Sequence, residues 1–186
     1  MDRTLIATVA DRPGVLTRVA SLFRRRAFNI ESLTVGHTER TGVSRMTIVV
    51  DSRRTDAKKV AQNLEKLVDV IDVQDITDQP AILHDLALIK VKVRDAEARS
   101  EILRIAEGLQ AKLVDMCLHT AMVEMSGSER QISTVVEALR THGILEMVRT
   151  GRVAMVRGGE NDEAGGADAA NASGADGRGG GSTWHE

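Results

Sequence analysis

The sequence has few of the residues on which several classes of protein depend. Its one cysteine, Cys117, excludes a framework of disulfides within the chain. Aromatic residues make up 2% of the chain and tyrosine is absent, which leaves no set of side chains for stacking nucleic-acid bases. With 25 basic and 27 acidic residues, the chain also lacks the positive charge of a nucleic-acid binder.

Long apolar runs are also missing. No run approaches the roughly 20 residues that a membrane-spanning helix needs, and the first residues do not resemble a secretory signal. We therefore expect a soluble protein of the cytoplasm.

The sequence contains no motif of a common catalytic or metal site. It has no P-loop, no G-x-G-x-x-G after a strand, no H-E-x-x-H and no C-x-x-C, and its five histidines are scattered. Aspartates recur every third residue over 69–78, but valines and an isoleucine interleave with them as in a strand, so we interpret most of these acids as solvated. Cys117 lies in a strand pattern and is predicted to be a small buried side chain rather than a nucleophile. We therefore predict no catalytic residues and no metal site.

The composition changes at residue 158. Residues 158–186 contain nine of the 16 glycines, six acidic residues against one arginine, and no aliphatic side chain larger than alanine. Such a segment cannot bury enough apolar surface to offset the entropy cost of ordering, so we predict a disordered acidic tail. We interpret Trp184 as an incidental terminal residue, with an interaction element as the alternative.

The remaining residues show one pattern twice. Period-two alternation predicts strands and i, i+3, i+4, i+7 spacing predicts helices, in the order β-α-β-β-α-β over residues 1–78 and again over 79–157. This order predicts an α+β protein of two tandem ferredoxin-like domains. Domains this small are marginal alone, so the second face or the edge of each sheet must be covered, which predicts pairing between the two units or between chains.

Local signals predict where several elements begin and end. Asp95 is suited to an N-cap, and Ser128 with Gln131 has capping-box spacing. Gly143 is suited to a left-handed helix end. Residues 144–156 are predicted to form two strands joined as a hairpin about Gly151.

The segment V-A-D-R-P-G-V-L at residues 9–16 is the most informative one for function. Pro13 is suited to a first helical position, and Gly14 permits close approach of a ligand to the free N–H groups of a helix start, which attract a carboxylate. Asp11 and the amide oxygen of Asn29 are acceptors for an ammonium. Together with the apolar residues Leu16, Ile30 and Val35, these groups predict a site for a small apolar α-amino acid. The alternative is an N-cap aspartate and a Pro-Gly helix start with no ligand.

Three stretches carry a resemblance to a known family. The pattern D-x-P-G-x-L after a first strand resembles the ligand loop of an ACT domain, a ferredoxin-like module that binds amino acids. F-N-I-E-S-L-T-V (residues 28–35), S-R-M-T-I (44–48) and E-K-L-V-D-V (65–70) resemble the small regulatory subunits of acetolactate synthase. The resemblance extends to about Arg157, so that residues 1–78 are identified as the ACT domain and the tail lies outside it.

This resemblance implies a regulatory function without catalysis in this chain. It implies binding and activation of a large catalytic subunit that condenses pyruvate in branched-chain amino-acid synthesis. Thiamine diphosphate, Mg and FAD would belong to that partner. It also implies a homodimer of paired ACT domains, with feedback inhibition by valine, and leucine or isoleucine as further possible effectors, bound at the dimer interface.

The same resemblance assigns the effector contacts to a loop and a facing strand. They are Asp11, Gly14, Val15 and Leu16 from the loop, and Asn29, Ile30, Thr34, Val35 and Gly36 from the strand. The family commonly has asparagine at the position of Asp11. The aspartate adds a charge that favours the ammonium of an amino acid and repels its carboxylate.

Two other functions compete with this one. A stand-alone amino-acid sensor would use the same loop, but residues 28–35 favour the synthase subunit. A small enzyme would need a nucleophile with its base, or a set of metal ligands, and the sequence has neither.

The basic run Arg24–Arg26 is interpreted as a helix end whose positive charge matches the helix dipole, with docking on the catalytic subunit as the alternative.

The composition of the tail generates a first prediction. Truncation after Arg157 is expected to leave the melting temperature, dimerisation and valine response nearly unchanged, because no residue beyond it is suited to a core. Thermal melts, sedimentation and synthase assays of both chains measure this. A large loss of activation would instead identify the tail, through Trp184, as a docking element.

Overall fold

The computed structural model describes residues 2–51, 53 and 56–158. Its first half contains the elements in the order β-α-β-β-α-β: β1 (Asp2–Ala10), α1 (Val15–Arg25), β2 (Ser32–His37), β3 (Val43–Asp51), α2 (Ala57–Leu64) and β4 (Val70–Asp75). The four strands form one antiparallel sheet in the order β2-β3-β1-β4, so β2 and β4 are its edges.

The second half repeats this order with one extra strand. Its elements are β5 (Ala81–Lys92), α3 (Ala96–Gly108), β6 (Lys112–Met116), β7 (Thr120–Gly127), α4 (Glu129–Leu139), a 3-10 turn (Arg140–His142), β8 (Ile144–Arg149) and β9 (Val153–Val156). The strand order is β6-β7-β5-β8, with β9 paired to the beginning of β5. This architecture confirms the predicted α+β fold of two ferredoxin-like units.

Each half has its own apolar core between one face of its sheet and two helices. Alternate residues of the central strands face the helices because side chains point to opposite faces at successive positions. In the first half the largest buried side chains are Leu5, Phe23, Met46, Ile48 and Leu64; in the second they are Ile89, Ile102, Ile132 and Leu139.

The predicted caps are present. Asp95 accepts a hydrogen bond from the backbone N–H of Ala98 at 2.8 Å, and Ser128 forms a capping box with Gln131. Gly143 has the expected positive φ of 82°, but its ψ of 101° is not left-handed helical and it follows the 3-10 turn rather than α4 itself. The strand predicted from Val68 begins at Val70, because Val68 lies 98% exposed in a turn.

The predicted hairpin about Gly151 is wrong. β8 pairs with residues 87–91 of β5 and β9 pairs with residues 81–84, each antiparallel to β5. The two strands therefore run in the same direction, end to end along one side of β5. The sequence predicts β5 only from Leu86; the observed strand begins at Ala81 and is long enough to pair with both.

The second face of the first sheet is covered by the second half. Ile6 and Ile76 of the first half and Ala154 of β9 form a buried cluster, against which Ala81, Leu83 and Val156 pack. The two halves belong to one compact unit. The prediction that one unit covers the other is confirmed for this face. The predicted boundaries, 1–78 and 79–157, stay a prediction.

Cys117 is exposed, contrary to the prediction that it is buried. β6 ends at Met116, so Cys117 lies in the following turn, where its Sγ is 3.6 Å from a carboxylate oxygen of Asp115. The predicted tail, with Trp184, lies outside the described residues except for Gly158.

Two of the four periodic aspartates are not solvated as predicted. Asp69 is paired with Arg18, and Asp75 accepts hydrogen bonds from Arg3 Nη2 at 2.9 Å and from Thr77 Oγ1 at 2.6 Å. Partial burial raises the pKa of Asp75, but the hydrogen bonds from Thr77 and Arg3 outweigh it and lower that pKa below its usual 3.8.

This lowered pKa predicts how stability depends on pH. A carboxyl whose pKa is lower in the folded than in the unfolded state stabilises the fold fully when the pH is above its unfolded-state pKa. This contribution is lost as the pH falls through the folded-state pKa. Asp75→Asn is therefore expected to destabilise the protein by about 1–2 kcal/mol at pH 7. The difference from the parent should shrink below about pH 4.

Thermal or urea unfolding between pH 3 and pH 7 measures this difference. Asp72→Asn, at an exposed position of the same strand, is the matched control and should stay close to the parent. A difference for Asp75→Asn that stays constant across this range would contradict the assignment.

Candidate functional site

The loop between β1 and α1 is a tight turn that ends in a helix N-terminus. Val15 N donates to Arg12 O at 3.3 Å, and Gly14 has φ 88° and ψ −5°, which together describe a type II turn with proline and glycine at its centre. Gly14 is also the N-cap of α1, and no side chain in the described part of the chain caps it. The N–H of Val15 is used in this turn, but the next N–H groups of a helix have no partner inside it, so this end offers donors to an anion.

Two details of this loop differ from the sequence prediction. Pro13 is not the first helical residue, because it occupies the turn before Gly14. Asp11 is not the N-cap: its backbone N–H donates to Gly42 O at 2.8 Å, and its carboxylate lies 3.3 Å from His37 Nδ1 at the end of β2. The side chain of Asp11 is 45% exposed and remains accessible beside the loop.

The strand β2 places the predicted contacts on two faces. Val35 lies opposite Met46 on the helix-facing side and is 43% exposed at the sheet edge. Thr34 lies opposite Thr47 on the other side, toward the second half, and Gly36 lies opposite Arg45. The Thr34 hydroxyl is buried and has no hydrogen-bond partner among the described residues.

One chain does not bring all predicted contacts together. The end of β2, at His37, lies beside Asp11, whereas Asn29 and Ile30 precede its beginning. A strand of six residues separates these ends by about 20 Å. The Nδ2 of Asn29 donates to Glu31 Oε1 at 2.6 Å, and Ile30 packs against the first core.

The loop contacts differ in what they offer a ligand. The side chain of Val15 is buried in the core, so only its backbone faces the loop, whereas Leu16 is 48% exposed. The exposed loop residues and the end of β2 thus form one cluster, and Asn29 with Ile30 forms another.

Arg18 is a site residue that the sequence analysis missed. Its Nε lies 2.5 Å from Asp69 Oδ2, and a Cβ placed on Gly14 would lie only 3.2 Å from its Nη1. The guanidinium therefore lies over the glycine at the helix start. The i, i+4 spacing of Gly14 and Arg18 was the available signal, since residues four apart are neighbours on a helix surface.

This cluster has the chemistry to bind a zwitterion. Helix N–H groups and Arg18 favour a carboxylate, and Asp11 favours an ammonium. Within the described residues, no group of three or more histidine, cysteine, aspartate and glutamate side chains is placed to hold a metal ion. None of the described helices has both the length and the apolar character needed to span a membrane.

Comparison with known families defines the class of protein. Residues 5–72 match the family described as the AHAS small subunit-like ACT domain, and residues 84–158 match the family described as the small subunit of acetolactate synthase. The first half is thus an ACT domain, the regulatory class to which the loop resemblance pointed.

Individual relatives agree with these family matches. The chain is 44% identical over 158 residues to a probable acetolactate synthase small subunit of Archaeoglobus fulgidus, which covers 85% of this chain and 98% of the relative. It is 43% identical over 159 residues to the acetolactate synthase small subunit of Bacillus subtilis, covering 85% and 92% of the two chains.

A solved structure gives the same result. The acetolactate synthase small subunit of Thermotoga maritima superposes with a TM-score of 0.77 and 32% identity, covering 86% of this chain and 99% of that one. The chain therefore belongs to the acetolactate synthase small-subunit family. This membership confirms the family resemblance and the prediction of a regulatory, non-catalytic subunit.

Proposed function

We propose that this chain activates the large catalytic subunit of acetolactate synthase in the cytoplasm and makes it sensitive to valine. The family matches over both halves of the chain support this function. The condensation of pyruvate, with thiamine diphosphate, Mg and FAD, belongs to the large subunit. The observation that carries the effector role is the N-terminus of α1 at Gly14, which no side chain of the described residues caps, with Arg18 beside it.

The effector binds with its two charged groups on opposite sides of this loop. Its carboxylate accepts from the free N–H groups at the start of α1 and from Arg18, and its ammonium lies against Asp11. The side chains of Leu16 and Val35, both nearly half exposed, offer the apolar surface for a branched side chain. Leucine and isoleucine fit the same chemistry and are alternative effectors.

A complete site requires two copies of the chain. Asn29 and Ile30 lie at the end of β2 that is far from Gly14, so they reach the effector only from a second copy. Antiparallel pairing of two β2 edges about a two-fold axis places the beginning of one strand beside the end of the other. Each dimer then has two identical sites, each built from both protomers.

The overall function predicts a simple reconstitution result. The purified chain is expected to form no acetolactate from pyruvate, whereas adding it to the large subunit should raise the rate and introduce inhibition by valine. A coupled synthase assay with and without the chain, titrated with valine, leucine and isoleucine, measures both effects.

Two results would contradict this function. Acetolactate formation by the chain alone would exclude a non-catalytic role. Failure to co-purify with a large thiamine-diphosphate enzyme would favour a stand-alone amino-acid sensor.

Gly14→Asp is expected to abolish valine inhibition and to retain activation. The new carboxylate would lie beside Arg18 Nη1 and take the place of the effector carboxylate. Repulsion and overlap should weaken valine binding by at least about 100-fold, or roughly 3 kcal/mol. Calorimetry with valine and the inhibition curve of the reconstituted synthase measure the loss.

Gly14→Asn is the matched control, because asparagine has the shape of aspartate, accepts a positive φ and adds no charge. It should weaken valine binding less than Gly14→Asp. Unchanged valine inhibition in Gly14→Asp would mean that the effector lies elsewhere. Loss of activation together with inhibition would mean that the loop is structural only.

The shared site makes a separate prediction for mixed dimers. Gly14→Asp and Asn29→His homodimers should each lose valine binding. A dimer with one chain of each type should regain one native site, because both substitutions then fall in the other site. Calorimetry on the purified mixed dimer should give half the valine stoichiometry of the parent. If each site were built from one chain, both sites would be damaged and the mixed dimer would bind no valine.

A further inference from the structure

The last residue of β8 and the segment that joins it to β9, residues 149–152, lie directly on β2; we call them the connector. A Cβ on Gly151 would lie 2.5 Å from Ser32 Oγ and 2.6 Å from Thr34 Oγ1, closer than real Cβ contacts allow. The backbone N–H of Arg152 donates to Ser32 Oγ at 3.1 Å. Only glycine at position 151 permits this contact between the connector and β2.

The connector is held firmly by the second half. Arg149 pairs with the buried Asp85 of β5, with Nε 2.9 Å from Oδ2, and Arg152 pairs with Glu129 at the start of α4 at 3.1 Å. Thr150 exchanges two hydrogen bonds with the backbone of β5, at 2.9 and 3.0 Å. A displacement of the connector would therefore strain its contacts with β5 and with the start of α4.

We propose that the connector transmits effector occupancy from β2 to the second half of the chain, with Gly151 as the positioning residue. The inference rests on the proposed function, which places the apolar side chain of the effector against Val35 of β2. It adds the structural route by which effector binding at β2 changes the second half of the chain.

Packing explains why this contact transmits a displacement. The Thr34 hydroxyl is buried in direct contact with Gly151, and a cavity lined by Ser32 and Arg152 opens beside this contact. Close-packed contacts pass on small shifts because they cannot be compressed. A second contact acts in parallel: Arg45, opposite Gly36 in the sheet, donates from Nη2 to Ala154 O of β9 at 3.2 Å.

Hydrogen exchange of the full chain with and without valine tests the route directly. In the parent, valine should slow exchange in β2, in the connector and in the first turn of α4. In Gly151→Ala, the added methyl should separate the connector from β2. Valine should then still slow exchange in β2 but no longer in the connector or the first turn of α4, while its affinity stays within about threefold of the parent.

The reconstituted synthase gives a second readout. Gly151→Ala should require at least about tenfold more valine for half-inhibition than the parent, with activation retained. Gly108→Ala, at the exposed end of α3 with nothing within 4 Å of a new Cβ, is the matched control and should behave like the parent. Ser32→Ala removes the acceptor of the Arg152 N–H and should shift the response in the same direction, even where Gly151→Ala fails to fold.

The outcomes separate this inference from the proposed function. Valine that binds the parent but slows exchange only in the first half would overturn the connector alone. So would a Gly151→Ala or Ser32→Ala chain that is inhibited like the parent. If Gly151→Ala and Ser32→Ala only lowered the melting temperature, the contact would be structural. Valine that fails to bind the parent at all would overturn the proposed function, and the inference with it.

Discussion

The long strand β5 is the element on which the rest of the structure depends. Its second part forms the centre of the second core, through Ile89 and Val91, while Ala81 and Leu83 in its first part pack on the back of the first sheet. Because these four positions share one face of a strand of 12 residues, the two parts of that strand contribute to two different apolar surfaces. β8 and β9 both pair with β5. This pairing determines where each of them ends, and so where the connector lies over β2.

Most of the fold could be predicted from local pattern, because its signals are local. Asp95 and Ser128 cap helices as their spacing indicates, and Leu5, Ala7 and Val9 face the core as alternation requires. The errors occur where strand pairing between residues far apart in the sequence determines the structure. A β8–β9 hairpin agrees with the local pattern, but the extension of β5 to Ala81 gives each of the two strands its own stretch of β5 to pair with. Cys117 was misplaced because a strand pattern does not say at which residue the strand ends.

The candidate site shows the same division. The Asp-x-Pro-Gly pattern predicted an anion-binding helix start, although the turn type places Pro13 before the helix. The Arg18–Asp69 pair spans 51 residues and depends on where the end of α2 returns toward β1, which no local spacing encodes. The separation of Asn29 from Gly14 is likewise a property of strand direction, visible only once the order β2-β3-β1-β4 is known.

The covered back of the first sheet has a consequence for how this protein can be divided. Ile6 and Ile76 are buried in a cluster to which β5 and β9 contribute the other residues. An ACT domain excised alone would present these side chains to water beside two open strand edges, a combination that promotes self-association. The excised domain would thus be an unreliable stand-in for the intact chain, since any aggregation or spurious oligomer would come from the cut surface and not from regulation.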